Sequence, residues 1–287
     1  MKTAVMTDSN SGMTAAEGKE LRVFIVPMPV IIGGITYFEG KNLMQADFFE
    51  NLMDGKEVST SQPSPGDLME LWNRVLSLGY DEIVYIPMSS GLSNSYASAA
   101  VLAEEYGQRV QVVDNHRISI PQLASVMDAV KLVSEGKTAA EIKAILEKTA
   151  LDASIYIAVD TLEFLKKGGR ITPAAAAIGS VLGIKPLLSI QGDKLDAYAK
   201  VRGIKRCRKR LIEAVSRDLE ERFSSGDMSK VYIATAGSFR NAELAEDWRQ
   251  EVAEAFPGYE VVYRDLGCSI ASHTGPEAMG AGIFRML

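Results

Sequence analysis

Histidine and cysteine are scarce in this chain of 287 residues: His116, His273, Cys207 and Cys268 are all it has. Two thiols cannot build a disulfide framework or a thiolate zinc site, and two imidazoles cannot build a histidine-rich metal centre. No resident metal is therefore expected, and a reducing, cytoplasmic setting fits. A long apolar run is also missing. The greasiest stretch, residues 23–34 (VFIVPMPVIIGG), is interrupted by Pro27 and Pro29 and falls short of the ~20 residues that span a bilayer. The opening MKTAVMTDSNSG turns polar after a few apolar residues and lacks the apolar core of a secretory signal. An excess of positive charge is absent too. With 31 Lys+Arg against 37 Asp+Glu the formal charge is -6, which argues against a whole-molecule role on nucleic acid or on an anionic membrane.

What is present is hydrophobic patterning: 47% of the residues are hydrophobic, enough for a large core and two domains of ordinary size. Through the first half, short β-type runs alternate with amphipathic helical runs. TAVMT (3–7), FIVPMPVII (24–32), EIVYIPM (82–88) and VQVVD (110–114) read as buried strands, while 67–79 and 121–136 read as helices. The alternation predicts a layered α/β domain with a mostly parallel sheet. In such sheets ligands sit beyond the carboxyl ends of the strands, which here read TDSNSG, STSQPSPG, SSGLSNS and VVDNHR. Past a boundary near residue 155 the pattern predicts an alanine-rich helix at 173–183, a hairpin at 185–203 and a helix from Ile204 to Phe223. A strand at 231–237, a helix to about Ala255, a strand at 259–266 and a closing helix after Pro276 complete it.

The densest collection of hydroxyls is PMSSGLSNSYASAA at 87–100, where Ser89, Ser90, Ser93 and Ser95 crowd a strand-to-helix junction. A serine hydrolase would carry G-x-S-x-G at such a junction with a histidine base in reach. The glycine pattern differs, although His116 or His273 remains available as a base. Capping explains some of the hydroxyls: Ser93 or Asn94 suits an N-cap, as Ser64 followed by Pro65 suits the start of the helix after STSQPSPG. The surplus hydroxyls at helix N-termini suit an anion, a carboxylate or a phosphate.

TDSNSG, TSQPSP (60–65), SSGLSNSYASA (89–99), TLEFLKKGGRI (161–171), LGIKPLL (182–188) and SHTGPEAMG (272–280) together resemble the DegV family in order and spacing, across essentially the whole chain. The resemblance implies a two-domain α/β fold. An N-terminal layered α/β domain with a mostly parallel sheet, residues 1–155, would carry the hydroxyl-rich carboxylate-binding loops. A C-terminal α/β domain with a mixed sheet, residues 156–287, would complete an acyl tunnel. It further implies a carrier with no turnover alone, which binds a long-chain fatty acid. A separate, ATP-using fatty acid kinase subunit would phosphorylate that acid to an acyl phosphate, for phospholipid synthesis. The bound acid would be a ligand, with no cofactor and no catalytic residue in this chain.

Carried over by position, Thr60 and Ser93 resemble the carboxylate ligands, with Ser61 and Asn94 supporting them. Arg170 and His273 resemble the head-group residues needed once the acid is phosphorylated. The chemistry agrees: hydroxyls donate to a carboxylate without adding charge, whereas an acyl phosphate favours a guanidinium and an imidazole nearby. Read without the resemblance, KKGGR is equally a turn with a solvated arginine, and His273 a satisfied core residue. The chain departs from the family pattern in DNHRISIPQL (114–123), which replaces a glycine-containing loop after Asp-Ser, in Asn94 where glycine is usual, and in Glu277 where a second glycine often follows GP. A serine-dependent lipid hydrolase or acyltransferase using Ser93 is the competing reading.

Residues 200–210, KVRGIKRCRKR, hold seven cationic residues and no acidic one. With Ile204, Cys207, Leu211, Val215 and Phe223 near one helical face, most of these charges are expected on a solvated outer face. Docking on an anionic bilayer or on an acidic face of the kinase is the alternative. Nucleic acid is the poorer partner, because no aromatic platform or reading motif accompanies the patch.

Overall fold

A computed structural model describes residues 1–177, 184–192 and 194–287. The chain divides into two compact units, Met1–Leu151 and Asp152–Leu287. In the first unit the strands are β1 (Thr3–Asp8), β2 (Val23–Val26), β3 (Pro29–Ile32), β4 (Ile35–Phe38), β5 (Val58–Thr60), β6 (Glu82–Ile86) and β7 (Val110–Val112). The helices are α1 (Ala15–Leu21), α2 (Gln45–Met53), α3 (Pro65–Ser77), α4 (Ser95–Ala103), α5 (Ser119–Ser134) and α6 (Ala139–Lys148).

The main sheet runs β2-β1-β6-β7, parallel throughout. Every residue of β1 and β6 is buried, which explains their unbroken apolar reading: a parallel strand is covered on both faces. Ala4, Met6, Ile83 and Tyr85 pack with Leu68, Trp72 and Val75 of α3 and Ala99 and Ala103 of α4. Helices α5 and α6 approach β1, β6 and β7 as well. Helix α3 starts as its sequence predicts, with the Ser64 hydroxyl accepting from Asp67 N–H and Pro65 in the first turn.

The run at 24–32, expected as one strand, is two strands in two sheets. β2 pairs with β1, and β3 joins β4 and β5 in a separate antiparallel sheet ordered β4-β3-β5. Pro27 lies at the break and has no N–H for a ladder. The next amide, of Met28, donates instead to the Ser9 hydroxyl at 3.1 Å.

The second unit holds β8 (Ala153–Ala158), β9 (Ile184–Ile190), β10 (Asp196–Arg202), β11 (Val231–Gly237), β12 (Val261–Asp265) and β13 (Met279–Arg285). Its helices are α7 (Glu163–Gly168), α8 (Pro173–Ala176), α9 (Ile204–Glu221), α10 (Ala242–Ala255) and α11 (Cys268–Thr274). The mixed sheet runs β10-β9-β8-β13-β11-β12, with β11 and β12 parallel and the other pairs antiparallel. Cys207, Leu211 and Val215 of α9 and Trp248 and Val252 of α10 pack on Tyr156, Leu187, Met279, Ala281 and Ile283 of the sheet. Tyr156 Oη donates to the buried Asp218 carboxylate at 2.8 Å. Trp248 Nε1 donates to the Gly280 carbonyl at 2.9 Å.

Two expectations change here, and a third falls partly outside the described residues. The closing segment is strand β13, not a helix, and the helix α11 lies before Pro276. Met279, Ala281 and Ile283 face the helical core while Gly280 and Gly282 alternate with them, so half of the strand periodicity was carried by residues without side chains. A Cβ on Gly282 would sit 3.2 Å from the Ser154 carbonyl oxygen, a close approach that glycine permits. Of the helix expected at 173–183, Pro173–Ala176 is helical, and 178–183 lie outside the described residues. Ile204, assigned to the buried face of α9, is 45% exposed at the helix start, whereas Cys207, Leu211, Val215 and Phe223 are buried.

The rim of the parallel sheet is organised by a buried carboxylate. Asp8, fully buried at the end of β1, accepts from Asn10 N–H at 3.0 Å, Met88 N–H at 2.8 Å and Gln122 Nε2 at 3.1 Å. Burial pushes its carboxyl pKa up, and these donors oppose the rise. Replacing Asp8 by Ala strands the backbone amides of Asn10 and Met88, each buried donor costing about 1–3 kcal/mol, while Gln122 Nε2 keeps the Thr7 hydroxyl and the Ile86 carbonyl as acceptors. Asp8→Ala should therefore lower unfolding stability by about 2 kcal/mol or more, read as a reduced urea midpoint at unchanged slope.

Candidate functional site

In the first unit, two of the expected loops are joined. Thr60 is the last residue of β5, opposite Val30 in the register, and is half-buried. Ser61 is exposed; its hydroxyl donates to the Gln62 carbonyl at 3.1 Å. Gln62 then reaches across, its Oε1 accepting from Asn94 Nδ2 at 3.3 Å and from the Ser98 hydroxyl at 3.0 Å. This bridge brings the TSQPSP loop to the loop that carries Ser93. Sequence reasoning passed over Gln62, although it lies inside the quoted motif.

The serine-rich loop is a self-bonded turn at the end of β6. Ser89 Oγ accepts from Gly91 N–H at 3.1 Å, and Leu92 and Ser93 N–H return to the Ser89 carbonyl at 3.1 and 3.2 Å. Ser93 Oγ accepts from Ser95 N–H at 3.1 Å and lies 2.8 Å from Ser95 Oγ. Asn94 occupies the N-cap of α4 without capping through its side chain, so the hydroxyl that meets the first turn is that of Ser93. Its partner is another serine, while His116 pairs with Asp114 at 3.6 Å.

The neighbouring loop, 113–118, is held from below. Ser89 N–H donates to the Arg117 carbonyl at 2.8 Å. The buried Arg117 guanidinium donates to the Ala150 and Thr149 carbonyls and to Ser125 Oγ, at 3.2, 2.7 and 3.1 Å. These bonds anchor a strand-end loop to the ends of α6 and α5 without placing free positive charge on the rim.

In the second unit, α7 ends in a Schellman arrangement: Gly169 N–H bonds the Lys166 carbonyl at 3.1 Å and Arg170 N–H bonds the Leu165 carbonyl at 3.3 Å. Gly169 has φ 68, a left-handed conformation that favours glycine. Arg170 is then fixed by a bond from Leu195 N–H to its carbonyl at 3.0 Å, and its Nη1 donates to the Gly168 carbonyl. His273, in the last turn of α11, is half-buried. Burial, and secondarily the Arg170 guanidinium beside it, lower its pKa from 6.5 to about 4. The imidazole is thus neutral at pH 7. Arg170 and His273 are brought together within this unit, and in the other unit the loop with Thr60 and Ser61 is joined through Gln62 to the loop with Ser93 and Asn94. Among the described residues no group of three or more His, Cys, Asp or Glu could hold a metal ion, and no helix is long and apolar enough to cross a membrane.

The DegV family model, described as an uncharacterised protein family, matches residues 2–286. The chain belongs to the DegV family. A DegV domain-containing protein of Deinococcus radiodurans is 32% identical, covering 99% of this chain and 98% of its own. Among solved structures, a fatty acid-binding DegV family protein from Thermus thermophilus has 31% identity and a TM-score of 0.88 with both chains fully covered. A fatty acid-binding DegV family protein from Streptococcus agalactiae has 30% identity and a TM-score of 0.87, again over both whole chains.

Against this family background the departures acquire geometry. Glu277 holds φ 57, a conformation that costs a side-chain-bearing residue strain, and its carboxylate pairs with Arg240 at 3.0 Å. In the 114–123 loop His116 and Ser119 are also left-handed, at φ 54 and 57. Asn94 has φ -77, so no glycine is required there.

The depressed His273 pKa sets a pH dependence. The folded state resists protonation down to about pH 4, whereas the unfolded chain takes up the proton near 6.5. Stability should therefore fall as pH drops through that window, by up to about 3 kcal/mol from this residue. Denaturant midpoints measured from pH 7 to 4 should show a flatter slope in His273→Gln than in the parent.

Proposed function

We propose that this DegV protein is a carrier that binds a long-chain fatty acid and presents it to a separate kinase subunit for phosphorylation to an acyl phosphate. The observation that carries the reading is the whole-length structural similarity to the fatty acid-binding protein of Thermus thermophilus, at a TM-score of 0.88. The linked hydroxyl loops support it. Thr60 and Ser93 donate to the carboxylate, with Ser61 and Asn94 shaping their loops. Arg170 and His273 answer the charge added by phosphoryl transfer, the neutral imidazole taking up a proton as that charge develops. Burying roughly fourteen methylenes at about 0.8 kcal/mol each contributes on the order of 11 kcal/mol, enough to offset association costs and retain the ligand through purification. The protein itself makes and breaks no covalent bond in this scheme; the chemistry belongs to the kinase, in the cytoplasm.

Mass spectrometry of an organic extract of the purified protein should reveal a long-chain fatty acid. An extract without one, from protein that takes none up on incubation, would refute the carrier reading. Thr60→Val combined with Ser93→Ala leaves the carboxylate short of donors at about 1–3 kcal/mol per unsatisfied group, so retained fatty acid should drop at least tenfold. Arg170→Ala should keep most of the acid yet lose kinase-dependent acyl phosphate, and normal turnover would remove Arg170 from the head-group role.

The basic segment supplies a docking surface for an anionic membrane in the same scheme. Lys200, Arg202, Lys205, Arg206 and Lys209 are exposed, while Arg208 pairs with Glu251 at 3.0 Å and Arg210 with Glu213 at 2.9 Å. The exposed Ile204 lies among these exposed cations. Reversing Lys205, Arg206 and Lys209 to Glu should slow acyl exchange with anionic vesicles at low salt and have little effect at high salt. An unchanged rate would leave these residues as a solvated face.

A further inference from the structure

Two glycines precede Arg170, and the backbone requires only one of them. Gly169 takes the left-handed conformation at the helix end. Gly168 is the last helical residue of α7, where alanine is the more favourable choice on propensity alone. The space at its Cα is occupied by His273: a Cβ on Gly168 would clash with the edge of the imidazole at Nδ1, 2.8 Å from Cε1 and 3.3 Å from Cγ. The Gly168 carbonyl meanwhile accepts from Arg170 Nη1. One residue therefore touches both proposed head-group side chains, one through its bare Cα and the other through its carbonyl.

The contact is reciprocated. Gly275, the C-cap of α11, has φ 75 and lies against the Phe164 ring of α7, so that a Cβ there would be 2.6 Å from Cδ2 and 2.7 Å from Cε2. Each helix inserts a ring where the other has no side chain. The pair of contacts fixes both the spacing of α7 and α11 and their sliding position, which a single contact could not do.

We infer that Gly168 is a positioning residue of the head-group site: its missing side chain seats the His273 imidazole against α7, and its carbonyl holds the Arg170 guanidinium beside it. The consequence for turnover rests on the carrier reading above, whereas the packing does not. With the ring seated beside Arg170, imidazole and guanidinium are presented together to an incoming phosphoryl group. A displaced ring would be solvated and protonated at higher pH before any phosphate arrived, and would no longer be preorganised.

A double-mutant cycle on the full chain tests this. Gly168→Ala should lower the urea midpoint of the parent and should leave unchanged or raise that of His273→Ala, because without the ring only the helix preference for alanine remains. In Gly168→Ala the His273 imidazole, followed by NMR, should titrate well above its pKa of about 4, toward 6.5. Equal midpoint losses in both backgrounds, or an unmoved imidazole titration, would overturn the inference. Acyl phosphate formation with the kinase should fall on the order of a hundredfold in Gly168→Ala while copurified fatty acid is retained; normal turnover with a displaced ring would also overturn it. If the parent neither retains fatty acid nor supports the kinase, the carrier reading fails, and the cycle and the titration still decide whether Gly168 seats His273.

Discussion

A carboxylate out of water governs the first unit. Asp8 terminates β1 where the parallel sheet opens to its loops, and a charge or an unpaired acid there would be costly without donors. It recruits them from three directions: from its own turn at Asn10, from the loop after β6 at Met88, and from α5 at Gln122. Because the Met88 amide is fixed to Asp8, the serine-rich turn that follows begins from a defined position. The Ser89 contacts then carry that position to Ser93 and the start of α4. The hydroxyl-rich turn is thus connected by hydrogen bonds to one buried acid.

The candidate residues of the two units differ in chemistry. The first supplies neutral hydroxyls, joined by the Gln62 bridge and supported by a guanidinium, Arg117, whose charge is spent on carbonyls beneath the rim. The second supplies basic groups, Arg170 and His273, and keeps the imidazole uncharged by burial. Keeping the imidazole neutral at rest avoids holding two positive charges together with no counter-ion.

Much of this was legible in residue order. Ser64 with Pro65 announced α3, and the apolar face of α9 announced its burial. Other features were not. FIVPMPVII reads as a single strand because each half is apolar, and only the tertiary arrangement sends one half to the parallel sheet and the other to an antiparallel one, with Met28 claimed by Ser9. The last strand was hidden because Gly280 and Gly282 carry no side chain to show the alternation. The paired glycines before Arg170 look alike in sequence, yet one answers to backbone φ and the other to a ring more than a hundred residues further along the chain.

The sequence by itself determined the α/β class, the family and the hydroxyl-bearing and basic residues, because these depend on side-chain chemistry and on local periodicity. Which of those residues share a hydrogen bond, which imidazole is held neutral, and why Gly168 must be bare were decided by tertiary structure alone. Such properties arise from distances between segments far apart in the chain, and periodicity along the chain carries no record of them.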